Sequence, residues 1–92
     1  TGAIRDEVID TVEVAAALLE QLGIKYPGNI IERYKIRIAD GHTMLREAGM
    51  RRGCLVAGGN VDLPRIAAIV LDEFRAGRIG RITLEAPEEG YE

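Results

Sequence analysis

The 92-residue chain has no tryptophan, one phenylalanine, one cysteine and one histidine. With aromatics so scarce, the core has to be built from Ile, Leu, Val and Ala, which favours helix packing over aromatic clusters. A lone cysteine, Cys54, excludes an internal disulfide, and one cysteine with one histidine leaves no Cys/His set for a zinc site. A reducing compartment fits that usage. No apolar run approaches the ~20 residues needed to span a bilayer, and the acidic pair Asp6-Glu7 is unlike the start of a signal peptide. The protein is therefore expected to be soluble and cytoplasmic, with no membrane partner. It opens on Thr1 and not on Met, so it reads as a fragment of something longer. What the chain does have is ordinary for one globular domain: 47% apolar and 29% charged residues, too apolar for disorder. At this length about 60% of the unfolded surface is buried, enough for one small core.

Helical periodicity dominates. Asp10 and Glu13 form a D-x-x-E capping box, flanked by Ile9 and Val14 at the positions of a hydrophobic staple. Val12, Ala15, Ala16, Leu19 and Leu22 continue a stripe to Gly23, so the spacing predicts a helix over about 11–22, with residues 6–9 able to add a turn before it. Tyr26-Pro27-Gly28-Asn29 is a turn that can open a short helix with Ile30, Ile31 and Tyr34 inward and Glu32 and Arg33 outward. Lys35-Ile36-Arg37-Ile38 alternates like a strand but is short, and is taken as an extended linker. Asp40 caps a further helix through Met44, Leu45 and Ala48 to Arg52, in which Gly49 suits a close helix crossing. Gly53 stands where helices commonly end in a left-handed residue. A glycine turn at 57–60 leads to Asp62, an N-cap, and to a helix striped by Leu63, Ile66, Ala67, Val70 and Phe74, with Pro64 tolerated in its first turn. That helix ends near Gly77, before a tight turn and a short extended tail. The fold class is all-α: a small helical domain of three to four helices.

Catalytic chemistry finds little support. A Cys54/His42 nucleophile pair has no orienting third group nearby, and a buried cysteine with a surface histidine is the plainer account. Gly53, Gly58 and Gly59 precede a helix N-terminus, where a backbone phosphate can rest. However, Asn60-Val61 supply neither the Lys nor the Ser/Thr of a P-loop. The paired carboxylates Asp6-Glu7, Asp72-Glu73 and Glu88-Glu89 diverge by about 100° on a helix and read as solvated faces.

Charge is the remaining signal. The net charge is −3, yet residues 46–81 hold seven arginines against four acids, residues 1–45 five bases against seven acids, and residues 82–92 four glutamates and no base. Arg51, Arg52, Arg65, Arg75, Arg78 and Arg81 fall within one short span, and guanidinium groups grip phosphate oxygens in a two-pronged geometry that lysine lacks. These six are the candidate RNA-binding residues, suited to the phosphate-directed recognition of structured RNA. The alternative is structural. Arg75 would then pair with Asp72 and Arg46 with a nearby acid, while Arg51 and Arg52 would complement a helix dipole.

Two separated stretches resemble the circularly permuted ribosome-biogenesis GTPases of the YlqF/RbgA family. Thr1-Gly2-Ala3-Ile4-Arg5-Asp6 is similar to the T-G-A-I-[KR]-D segment that follows the GTPase core there. Arg52-Gly53-Cys54-Leu55, the glycine turn with Val61-Asp62, the helix end at Phe74-Arg75-Ala76-Gly77, and Gly80-Arg81-Ile82-Thr83-Leu84-Glu85 follow in the family's order. The resemblance covers nearly the whole chain and is least clear over 24–42. It implies a small helical C-terminal domain, similar to antiterminator-type RNA-binding modules, that helps dock the protein on the maturing large ribosomal subunit. Residues 1–9 would then be the junction to a missing GTPase core, 10–86 the helical domain and 87–92 a mobile tail. The sequence contains no N-K-x-D, P-loop or D-x-x-G motif. GTP, magnesium and hydrolysis are thus expected in the missing core, with no cofactor and no enzymatic activity in this fragment. The implied partners are large-subunit rRNA or a precursor ribosomal particle, and the GTPase core itself. A protein-interaction module packing on that core or on a ribosomal protein is the alternative.

Overall fold

Apolar residues at helical spacing produce four helices in the computed structural model, which describes the backbone of residues 2–80 and the side chains of residues 11–80. They are α1 (Gly2–Lys25), α2 (Pro27–Tyr34), α3 (Gly41–Arg51) and α4 (Leu63–Arg75). The extended tail after Gly80, Arg81 and the expected mobile segment 87–92 lie outside the described residues. The all-α expectation holds. Among the described residues the only β-type pairing is an isolated antiparallel bridge between Leu55 and Val61.

The long α1 lies against each of the other three helices, and α3 also packs on α4. Its buried residues Ala15, Ala16, Leu19 and Leu22 meet Ile30 and Tyr34 of α2, Met44, Leu45 and Ala48 of α3, and Ile66, Ala67 and Val70 of α4. Ile36, Cys54 and Ile79 close the core from the connecting segments. Each large aliphatic side chain taken fully out of water contributes about 1.5–3 kcal/mol.

Two of the expected caps form. Asp40 accepts from the Thr43 amide at 3.1 Å and from its hydroxyl at 2.7 Å, and Asp62 accepts from the Arg65 amide at 3.3 Å. Asp10 does not cap a helix: α1 begins at Gly2 and runs through it. No proline or glycine interrupts residues 3–9, and extending an existing helix is far easier than nucleating a new one, so the local capping signal is overridden. Nor does α1 stop at Gly23. The helix continues to Lys25, and Gly23 is a packing residue whose absent Cβ leaves room for Met44 and Ile38.

Glycines also set the other close approaches. A Cβ on Gly49 would stand 2.5 Å from Val61 Cγ1 and 3.3 Å from Ile66 Cγ2, in line with the helix crossing expected there. A Cβ on Gly41 would collide with the Ala16 backbone carbonyl. After α3, Gly53 at φ 73° is left-handed and the Cys54 amide donates to the Gly49 carbonyl at 2.8 Å. A small hairpin through a 3₁₀ turn at Ala57–Gly59 then returns the chain to Asp62, whose amide donates to the Cys54 carbonyl at 2.8 Å.

Candidate nucleic-acid interface

The six arginines chosen from sequence do not behave alike. Arg52 is built into the structure. Its two terminal nitrogens donate to Glu73 Oε2 at 2.8 Å and Oε1 at 3.1 Å, and its guanidinium carbon lies 5.1 Å from the centre of the Tyr34 ring. Glu73 also accepts from Arg33 Nε at 3.2 Å and from the Tyr34 hydroxyl at 3.0 Å. One carboxylate on α4 thus ties down two residues of α2 and the residue that ends α3. Burial pushes this carboxyl up, but the hydrogen bonds from Arg52, Arg33 and Tyr34 outweigh it and hold it at about 2. Burial and the hydrogen bond to Glu73 raise the Tyr34 phenol, and the bond to Glu73 raises Arg52.

Arg75 stands 3.9 Å from Asp72, one helical turn away, and both are exposed; such a pair contributes a few tenths of a kcal/mol. Arg51, Arg65 and Arg78 are exposed and form no ion pair among the described residues. The same holds for Arg46, for which the structural alternative required an acid. Arg81 lies outside the described residues.

Two of the free arginines border hollows that sequence reasoning missed. Arg78 joins Arg33, Lys35, Asn29, Glu32, Ile79 and Gly80 around an open hollow of about 370 Å³. Arg51 joins Lys35, Arg37, Ile31, Ile36 and Glu47 around a second, of about 360 Å³. Lys35 lines both. It is the C-cap of α2, in the left-handed conformation at φ 57° and ψ 47°, and its amide donates to the Ile31 carbonyl at 2.8 Å. Among the described residues, five cations face two carboxylates around the pair of hollows, in a chain whose net charge is negative. Arg65 and Arg75 line neither. The signal for the missed residues was the alternation Arg33-Lys35-Arg37, three bases at every second position from the end of the short helix into the segment read as a linker.

Ile31 was expected inward and is 46% exposed, while Arg33, expected outward, turns to Glu73; the short α2 presents only Ile30 and Tyr34 to the core. Cys54 is buried. His42 is exposed and meets Glu13 at 3.0 Å. No group of three metal-ligating side chains occurs among the described residues, nor any helix long and apolar enough to cross a membrane.

The chain is similar to ribosome biogenesis GTPase A of Bacillus cereus, 38% identical over 91 residues that cover 97% of the chain and 31% of that protein. Ribosome biogenesis GTPase A of Priestia megaterium is 40% identical over 91 residues, covering 97% of the chain and 32% of that protein. The Bacillus licheniformis protein of the same name is 31% identical over the same share of the chain. The chain therefore spans about a third of the length of the curated relatives it matches. No family model and no solved structure matches it.

Proposed function

We propose that this chain, which belongs to the ribosome biogenesis GTPase A family and spans about a third of its relatives' length, is the part that docks such a protein on RNA. It serves ribosome biogenesis by positioning the whole protein on rRNA of the maturing large subunit. GTP and magnesium are handled by the remainder of the protein. One observation carries this: Arg51, Arg65 and Arg78 project into solvent without a carboxylate partner among the described residues. Arginines kept for stability through ion pairs would be held as Arg52 is.

A second reading has its own observation. Met50, Leu55 and Val56, at the end of α3 and in the hairpin after it, are 60%, 47% and 47% exposed, which suits an apolar contact with the GTPase core or a ribosomal protein. Salt separates the two. Contacts to several phosphates make log affinity fall with log salt by about 0.7–0.9 per phosphate, whereas an apolar contact barely responds. Binding of the 92-residue chain to large-subunit rRNA is expected to fall steeply with salt and to weaken in R51E/R65E, with an unchanged circular dichroism spectrum. A flat salt response, or a folded R51E/R65E that binds as wild type, would sink the RNA reading and favour the protein partner.

A further inference from the structure

We propose that the two hollows joined at Lys35 form a phosphate-binding cradle that holds the backbone of base-paired RNA without reading its sequence. This rests on the RNA-docking reading above and names the site and the kind of RNA it takes. Four observations on different elements converge on it.

The first is the charge. Arg78 and Arg33 stand around one hollow, Arg37 and Arg51 around the other, and Lys35 around both. Glu32 and Glu47 leave each hollow with three cations against one acid. Arg33 commits only its Nε to Glu73, so its terminal amino groups remain for an anion; the guanidinium has five N–H donors in all.

The second is backbone geometry. Lys35 is the only residue other than glycine with positive φ among the described residues, a conformation that costs a side-chain-bearing residue roughly 1–2 kcal/mol. The left-handed cap ends α2, and the chain leaves it through Ile36, which is buried. Lys35 thereby lines both hollows.

Third, the far wall is pinned. Ile79 is buried and Gly80, at φ 102°, lies so close to Asn29 that a Cβ would stand 2.8 Å from its Nδ2. This anchors the turn that carries Arg78 against α2.

The fourth observation selects the RNA. Among the described residues, neither hollow is lined by Phe or Tyr. Proteins that take unstacked single strands supply aromatic faces for the bases, whereas double-stranded RNA is held mostly through phosphate and sugar contacts and by shape. Among the described residues each hollow offers cations, a little aliphatic surface and no aromatic stacking platform. Two neighbouring backbone phosphates, one in each hollow with Lys35 between them, satisfy that arrangement.

The test uses the 92-residue chain with a fully base-paired RNA hairpin, a second hairpin of permuted stem sequence, and a single-stranded homopolymer of equal length. Lys35→Asn keeps the left-handed conformation, which Asn adopts more readily, and removes the ammonium; Arg37→Gln removes the second cation. The double variant K35N/R37Q is expected to melt no lower than wild type and to bind the hairpin roughly tenfold more weakly. Its salt slope should be lower by about 2, one for each phosphate-contacting cation. Lys25→Gln, which removes a cation that lines neither hollow, should leave that slope within error. The two hairpins should bind alike and the homopolymer more weakly. If K25Q lowers the slope as much as each cradle substitution, the effect is net charge and the cradle is refuted. Tighter binding of the homopolymer, or strong preference between the hairpins, would overturn the backbone-directed recognition. Wild-type binding that K35N/R37Q leaves intact removes the site and spares the docking reading, whereas no RNA binding by wild type removes both.

Discussion

Glu73 ties α2, whose main helix contact is with α1, to α4 and to the end of α3. Its side chain is 13% exposed, and its partners are Arg33 and Tyr34 on α2 and Arg52 at the end of α3. Removing one member of a fully buried ion-pair network costs about 3–5 kcal/mol; with the arginines 28–34% exposed, about 2 kcal/mol is the reasonable figure for Glu73→Gln. At this chain length that corresponds to a melting temperature lower by roughly 8–16 °C. The pH dependence fixes the cause. The folded carboxyl is depressed from its ordinary 4.5 to about 2, so the unfolded chain takes up the proton first. The stabilisation is therefore complete above about 4.5 and is lost as pH falls from there towards 2. We expect thermal melts of wild type and E73Q to differ most at neutral pH and to converge in that acid window. A difference that persists unchanged at pH 2 would place the stabilisation elsewhere. At the alkaline end the sign reverses: the raised phenol of Tyr34 contributes fully below about 10 and loses its contribution above that value.

Where helices cross, the missing Cβ atoms decide how close they come. Gly49 and Gly41 differ in what an added methyl would strike. At Gly49 the nearest atoms belong to the side chains of Val61, only half-buried, and Ile66. The collision can be relieved by a rotation, and the gain in helix propensity of about 1 kcal/mol partly offsets the overpacking. At Gly41 the obstacle is the backbone carbonyl of Ala16, in the middle of α1. Moving it means separating α1 from α3 and breaking the hydrogen bond from the Gly41 amide to Glu20 at 3.1 Å. Urea unfolding should show G49A destabilised by about 1 kcal/mol and G41A by about 3 kcal/mol or more; the reverse order would mean that α1 and α3 are not held at that crossing. Such contrasts also explain what the sequence could disclose. Asp40 and Asp62 cap through amides three residues on, so their signal is local and was readable. The D-x-x-E at Asp10 has the same local form, but whether it starts a helix depends on what the preceding residues do. Gly49 was readable because a glycine inside a helical stripe needs a reason, whereas the same need at Gly41 arises from α1, twenty-five residues earlier. In the candidate site, Arg51 and Arg78 were found by counting charge along the chain. Lys35 and Arg37 join them only after folding, and Arg52 is withdrawn by a glutamate twenty-one residues away.

Over the whole molecule, charge is arranged against its own net sign. The hollows around Lys35 are cationic while the protein carries −3, because residues 82–92 contribute four glutamates and no base. A polyanion approaching from solution feels the sum of these fields within a Debye length, roughly 10 Å at 0.1 M salt and 3 Å at 1 M. Ending the chain after Arg81 removes four negative charges and moves the net charge from −3 to +1 while keeping every described residue that lines the hollows. We expect the shortened chain to associate with base-paired RNA several-fold faster than the full chain at low salt, since like-charge repulsion acts mainly on the rate of encounter. Dissociation rates should remain alike. Raising salt should bring the two association rates together, and above about 0.5 M they should be indistinguishable. K35N/R37Q should behave differently, because losing a phosphate contact also speeds dissociation. Stopped-flow measurements of the three chains across a salt series separate long-range repulsion by the acidic tail from contact at the cradle. Equal low-salt association rates for the full and shortened chains would show that the tail's charge does not reach the RNA-binding face.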